Sequence, residues 1–368
     1  MNMPEGSVAR GRRLALVVGL SVAAAGGTAA PAWAQRKPDV SGLTTRQVDV
    51  TARQIVRFNR AGRSGARHGR LDFIGGLVLK SEDKAFGGWS GIAVDPNGKG
   101  VLAVSDAGVW MRAQLIHDSR GRPTGLEAVS IGPIVGTDGK MASRSRDSDA
   151  EAVVIVSGTS QRGEAMIAYE QNHQIATVPI GARGLERPRK SFRPRSVGAA
   201  IPTRDGIEAL TVLKGGRYKG VPIAFAEKLR DGKKRQTGWL FVKGAAQAFT
   251  LEDIGGYDIT DVAASPDGGI LLLERRFRWF EGIKMRIRRI TVDDIAPGRH
   301  VTGEVLLEAS LVSNIDNMEG LAVHPGPDGA LILTVISDDN FDRVLQRTML
   351  LQFRLPAESA SKSKPQRP

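Results

Sequence analysis

The sequence predicts an all-β fold made of repeated four-stranded sheets. Three observations predict it: one hairpin pattern recurs five times, further strand-like runs follow the copies, and carboxylates stand in register at both ends of the hairpins. The plainest copies are "SGIAVDPNGKGVLAVSD" from Ser90 to Asp106, "TDVAASPDGGILLLE" from Thr260 to Glu274 and "EGLAVHPGPDGALILTVISD" from Glu319 to Asp338. Two looser copies run from Glu151 to Glu170 and from Glu208 to Glu227. Their starts at 90, 151, 208, 260 and 319 give a period of roughly 52–61 residues. Each copy alternates apolar residues in short runs bounded by Gly, Pro, Asn or Asp, as a strand, turn and returning strand require.

In chain order, residues 1–34 read as an export signal. Arg10, Arg12 and Arg13 precede an apolar run from Leu14 to Ala30, and Ala32-Trp33-Ala34 offers a small-x-small cleavage site. Arg12-Arg13 suits a twin-arginine route, and the pattern suits general secretion equally, so the mature chain is expected in the periplasm or secreted. The apolar run is short for a membrane span and contains Gly26 and Gly27, and no second candidate span follows. Residues 35–70 read as an N-terminal extension, 71–356 hold the repeats, and 357–368 read as a disordered polar tail.

Within the repeat region, "VWMRAQLI" and "LEAVSIGPI" follow the first hairpin, "GWLFVKG" and "AFTLEDI" the third, and "KMRIRRITV" and "TGEVLLEAS" the fourth. Four strands per unit at this period describe a β-propeller of five blades, or six if one copy is degenerate. The last unit has only "TMLLQFRL", Thr348 to Leu355, and is one strand short. The run "LDFIGGLVLK", Leu71 to Lys80, precedes the first hairpin and can supply that outer strand, closing the ring and removing its exposed edges.

In such a ring the first strand of each blade lines the axial channel and the second runs back beside it. The start of one and the end of the other therefore meet at one rim. The first column holds Ser90, Glu151, Glu208, Thr260 and Glu319; the second holds Asp106, Glu170, Glu227, Glu274 and Asp338. Eight of these ten positions are acidic, and converging carboxylates persist only by taking up protons or binding cations. The expected metal ligands are thus Glu151, Glu208, Glu227, Glu274, Glu319, Asp338, Asp106 and Glu170. A hard divalent cation, Ca²⁺ above all, suits an all-oxygen set. Asp149, Asp258, Asp261, Asp316 and Asp339 flank the columns. Lys228, Arg230, Arg276 and Arg343 follow the acids and are the expected contacts to a phosphate; the alternative is that they pair with the acids in a structural network.

Composition narrows the partners. With 41% hydrophobic residues the chain can bury a large core, and with no cysteine it has no disulfide, thiolate metal site or cysteine nucleophile. A net charge of +13 favours acidic partners such as small phosphorylated substrates or anionic lipid head groups. Nucleic acid is not expected, because aromatics make up only 5% and no basic stretch interleaves with them to stack bases.

The runs "FGGWSGIAVDP" from Phe86, "NMEGLAVHP" from Asn317 and "LILTVISDDNF" followed by "QRTMLLQF" resemble the phytase-like domain family, also called the esterase-like activity of phytase family. The resemblance covers roughly Leu71 to Leu355. It implies a bacterial, exported propeller that hydrolyses phosphoesters or esters. A distant link to the six-bladed calcium-dependent phytases implies calcium ions in the channel mouth that hold phosphate and activate water. It assigns no individual catalytic residue.

Other hydrolytic signatures fail on spacing. "RHGR" at Arg67 to Arg70 is similar to the start of a histidine acid phosphatase signature, but Leu71, Asp72 and Phe73 follow where a further Arg and Pro belong. No G-x-S-x-G elbow occurs, and His117, His173, His300 and His324 are scattered. The expected function is therefore metal-dependent hydrolysis of a phosphoric ester. A non-catalytic binding or scaffold propeller with structural calcium, and a metal-dependent lactone or carboxyl-ester hydrolase, are the alternatives.

Overall fold

Five small sheets stand in a ring, each built from one hairpin and the runs that follow it. The computed structural model describes residues 37–62, 66–141, 149–171, 173–193 and 206–357. The export signal expected at 1–34 and residues 358–368 of the expected tail lie outside the described residues. Among the described residues the only helical turns are the short Val292–Asp294 and Pro327–Gly329, and no helix is long and apolar enough to cross a membrane.

The innermost strands are Trp89–Val94, Ala150–Gly158, Ile207–Val212, Asp258–Ala264 and Met318–Pro325. They touch one another in succession, and the last touches the first. The approach is close enough to dictate residue size. A Cβ on Gly91 would lie 2.8 Å from the Glu151 carbonyl oxygen, and one on Gly320 3.0 Å from that of Ser90. This explains the small residue near the start of the repeat.

The returning strands Gly100–Ser105, Gly163–Tyr169, Pro222–Arg230, Ile270–Arg278 and Leu331–Ser337 pair antiparallel with the inner ones. In sheet one Val109–His117 and Pro123–Pro133 follow outward, and in sheet four Gly282–Ile290 and Glu304–Ser310. In sheet two, among the described residues, the outer position is taken by two short pieces, Gly184–Leu185 and Lys190–Phe192, both against Gln174–Gly181. Sheet five takes Thr348–Leu355, and beside it Leu71–Lys80 in antiparallel register from Thr348 opposite Leu79 to Arg354 opposite Asp72.

Both faces of most blades are buried, so five apolar clusters seal the five junctions. Leu333 and Phe353 of sheet five meet Leu271 and Ile287 of sheet four. Ile336 and Leu350 meet Val101 and Met111 of sheet one, and Val104 and Trp110 meet Ile167 and Val178 of sheet two. Ala168 and Ile175 meet Ala224 and Trp239 of sheet three, and Phe225 and Leu240 meet Leu272 and Ile290 of sheet four. This burial is the main source of stability in a chain without cross-links.

The segment expected as an extension takes part in the sheets. Arg46–Gln47 pairs with Pro123–Pro133 on sheet one and Thr51–Ile55 with Leu71–Lys80 on sheet five, while Val40, Leu43, Ile55 and Phe58 are buried. It brackets the junction of the first and last sheets from outside, and its start carries Lys37 to the channel mouth.

Candidate metal centre at the channel mouth

Every inner strand breaks register at the same place. The ladder skips from Trp89 to Gly91, Ala150 to Ala152, Ile207 to Ala209, Ile259 to Asp261 and Met318 to Gly320. The five skipped residues are Ser90, Glu151, Glu208, Thr260 and Glu319, the whole first column. A bulge leaves its extra residue outside the ladder and re-aims its side chain, so one backbone device repeated five times turns this column towards the mouth.

The ladder also sets the second column. Opposite the residues before the bulges stand Ser105, Tyr169, Ala226, Glu274 and Ser337. The residue after each is Asp106, Glu170, Glu227, Arg275 and Asp338. In the fourth blade the mouth position is therefore held by Arg275, and Glu274 falls one step short. Glu274 is fully buried, accepting Arg286 Nε at 2.7 Å and a bond from Arg288 Nη2, both arginines being 1% exposed or less. Those arginines also donate to the carbonyls of Ile254, Glu252 and Thr302. The structure thus sets Glu274 in a closed ionic network apart from the other seven acids expected as ligands.

Those seven gather, joined by Asp149. One carboxylate oxygen from each of Asp149, Glu151 and Glu170 lies within 4.8 Å of the others. Glu208 interacts with Glu151, Glu170, Glu227 and Glu319, and Asp338 with Asp106 and Glu319. Two cations outside the expected basic set enter the group. Lys37 Nζ donates to Asp149 Oδ1 at 2.6 Å and lies 3.1 Å from Asp106 Oδ2. Arg275 Nη2 donates to Glu227 Oε1 at 2.9 Å, and its Nη1 bonds both Glu319 Oε1 and Asn317 Oδ1. Gln171 Nε2 donates to the second oxygen of Asp149 at 2.6 Å.

Burial and mutual repulsion act on proton affinity as expected for crowded acids. Desolvation first, then the charges of Asp149 and Asp106, hold Glu151 well above the usual carboxyl range. Desolvation and Glu151 do the same to Glu208, and desolvation and Asp106 to Asp338. Glu170 is pushed up to about 7, by desolvation and then Asp149. Glu319 also reaches about 7; desolvation raises it further than Arg275 lowers it. These acids crave either protons or a cation. The donors are all oxygen, the set that a hard divalent ion prefers, so the residues present fit such an ion.

The four basic residues expected at a phosphate have partners of their own. Lys228 Nζ bonds Glu227 and so belongs to the mouth. Arg230 holds Asp253 at 2.7 Å and Asp258 at 2.9 Å. Arg276 donates to the Gly255 carbonyl and to Glu281, each at 2.7 Å. Arg343 donates to the carbonyls of Ser81, Asp83 and Phe86. Among the flanking acids, Asp339 accepts the Gly88 N–H and the Thr348 hydroxyl, each at 3.0 Å, and Asp261 accepts the Leu321 N–H at 2.7 Å. Lys37 escaped the sequence reading because it lies outside the repeats. Arg275 follows Glu274 in the sequence, and residue type alone favours the acid for the rim position that the ladder gives to the arginine.

Fold and site together define a five-bladed β-propeller whose channel mouth is lined by carboxylates with an embedded lysine and arginine. The phytase-like family, described as "Esterase-like activity of phytase", matches residues 84–341, and the chain belongs to it. No relative among curated proteins matches the sequence. Among solved structures, a chain described as "Structure of U3-55K" is 9% identical with a TM-score of 0.37, covering 72% of this chain and 95% of its own. Another, described as "Crystal structure of RRP9 WD40 repeats", is 8% identical with a TM-score of 0.35, covering 72% and 80%.

Proposed function

We propose that this propeller is an exported, calcium-dependent hydrolase of phosphoric esters whose site is the acidic mouth. The observation that carries the reading is the Asp149, Glu151 and Glu170 oxygen cluster inside a wider ring of carboxyls with raised proton affinity. Those three residues would hold the ion, with Glu208 and Asp106 beside them. A calcium ion bound there supplies Lewis-acid polarisation of a phosphoryl oxygen and a lower pKa for bound water. Arg275, anchored between Glu227 and Glu319, and Lys37 offset anionic charge at the mouth. Glu319, near 7, is a carboxyl that can exchange a proton at neutral pH. Membership of the phytase-like family supports this reaction class.

A second reading rests on a specific observation: Arg230, Arg276 and Arg343 are committed to carboxylates and carbonyls, which leaves few guanidinium groups for a phosphate. On that reading the propeller holds calcium for stability alone. Purified protein assayed with calcium and with chelator against a phosphomonoester, inositol phosphate, a carboxyl ester and a lactone separates the two. Calcium-dependent phosphate release that is lost in Glu151→Gln, with the fold intact, is the expected result. Calcium-dependent stability without hydrolysis of any substrate leaves the scaffold reading, and hydrolysis of the carboxyl ester or lactone alone reassigns the substrate. Export is checked by fractionating cells that express the full chain, with recovery in the periplasm or medium expected.

A further inference from the structure

The returning strand of sheet four does not stop at the mouth. Past Arg275 it continues as a hairpin, Ile270–Arg278 into Gly282–Ile290, with Arg278 opposite Gly282. Its tip is apolar and open to solvent: Phe277 is 63% exposed, Trp279 81% and Phe280 97%. The hairpin stands on a second exposed apolar loop, since a Cβ on Gly282 would lie 2.4 Å from Leu311 Cδ1, and Val312 beside it is 69% exposed. Soluble surfaces seldom present two adjacent aromatics at such exposure unless something covers them.

Charge says what covers them. Arg276, Arg278 and Lys284 flank the aromatics, with Glu281 as the single acid of the tip, bonded to all three. Beneath the hairpin lies an open cavity of about 480 Å³ lined by Arg276, Lys284, Arg286, Tyr257 and His68 and by one acid, Glu308. Three buried nitrogens of these lining residues, Arg276 Nε, Arg286 Nη2 and His68 Nε2, have no hydrogen-bond partner among the described residues. Aromatic rings at a projecting tip, with cationic donors just behind them, match the layering of a bilayer surface, where apolar chains lie beneath phosphates. The mouth acids lie inboard and oppose an anionic surface, yet the chain as a whole, at +13, carries the attracting sign.

We propose that the hairpin around Trp279 and Phe280 docks the propeller onto an anionic phospholipid surface, with lipid phosphates seated against Arg278 and Lys284. The docking does not depend on hydrolysis at the mouth, so either can fail alone. The test is sedimentation of the chain from Gln35 onward, which contains every described sheet, with vesicles of phosphatidylcholine alone or with about one quarter phosphatidylglycerol. Binding to the anionic vesicles only, weakened by salt, is expected. Trp279→Ser with Phe280→Ser should weaken it by about tenfold or more. Arg278→Gln with Lys284→Gln should weaken it and flatten its salt dependence. All four positions lie outside the apolar clusters, so melting temperature should hold and serves as the check of folding. Equal binding to both vesicle types, or binding indifferent to the aromatic pair, overturns the proposal. So does self-association abolished by the aromatic variant without vesicle binding, which would give the hairpin to a second copy of this chain.

Discussion

Raising the pH of the chelated protein from about 5 to 8 should destabilise it, because the mouth then ionises against itself. Glu170 and Glu319 move from an ordinary 4.5 to about 7 on folding. A carboxyl whose proton affinity is raised by folding contributes stability that is complete below its unfolded value and is lost as pH climbs through its folded value. For these two the window runs from about 4.5 to 7, and each ionisation costs roughly 3 kcal/mol. They share neighbours and do not simply add, so a loss of about 3–6 kcal/mol is expected for the pair. At roughly 2 cal/mol/K of unfolding entropy per residue, that is a fall in melting temperature of roughly 5–10 °C for a domain of this size. Glu151, Glu208 and Asp338, raised further, extend the decline to higher pH. Asp231 and Glu281, held near 2 by arginine and lysine partners, act only in acid and leave this window flat. Urea unfolding or thermal melts at stepped pH, with chelator and then with calcium, measure the effect. Calcium should restore stability at pH 8 and do little at pH 5. Stability that is level or rising from pH 5 to 8 in chelator would refute the reasoning.

Three substitutions separate the roles of the charged groups. Glu274→Gln should cost about 3–5 kcal/mol in urea unfolding, because it leaves Arg286 and Arg288 buried without their counter-charge, while calcium affinity by calorimetry stays unchanged. Arg275→Met frees Glu227 and Glu319 to repel each other and should steepen the loss of stability with pH, read in the same melts. Lys37→Met removes a tethered cation from Asp149 and Asp106; the chelated protein should melt lower and bind calcium about tenfold more tightly in a calorimetric titration.

The number of blades, the antiparallel hairpins and the convergence of their ends were legible in the sequence because each repeat carries its own turn and its own acids. The ladder places the first column at the bulges, which leave no mark in the sequence beyond the small residue that follows in several copies. In the fourth blade the sequence points one residue short of the rim for a physical reason. Ile270, Leu271, Leu272 and Leu273 are all fully buried, since neighbouring sheets cover both faces, so no polar alternation fixes which residue reaches the rim. Residue type favoured Glu274, and the ladder places Arg275 there. Lys37 and the strands of 37–62 obey no repeat, and only the folded ring brings them back to its first and last sheets.

A crystal structure grown with calcium tests the centre most directly. Density for an ion bound by oxygens of Asp149, Glu151 and Glu170, at about 2.3–2.6 Å, is the predicted result. A calcium-saturated crystal in which those carboxylates contact only Lys37, Gln171 and one another would contradict the account.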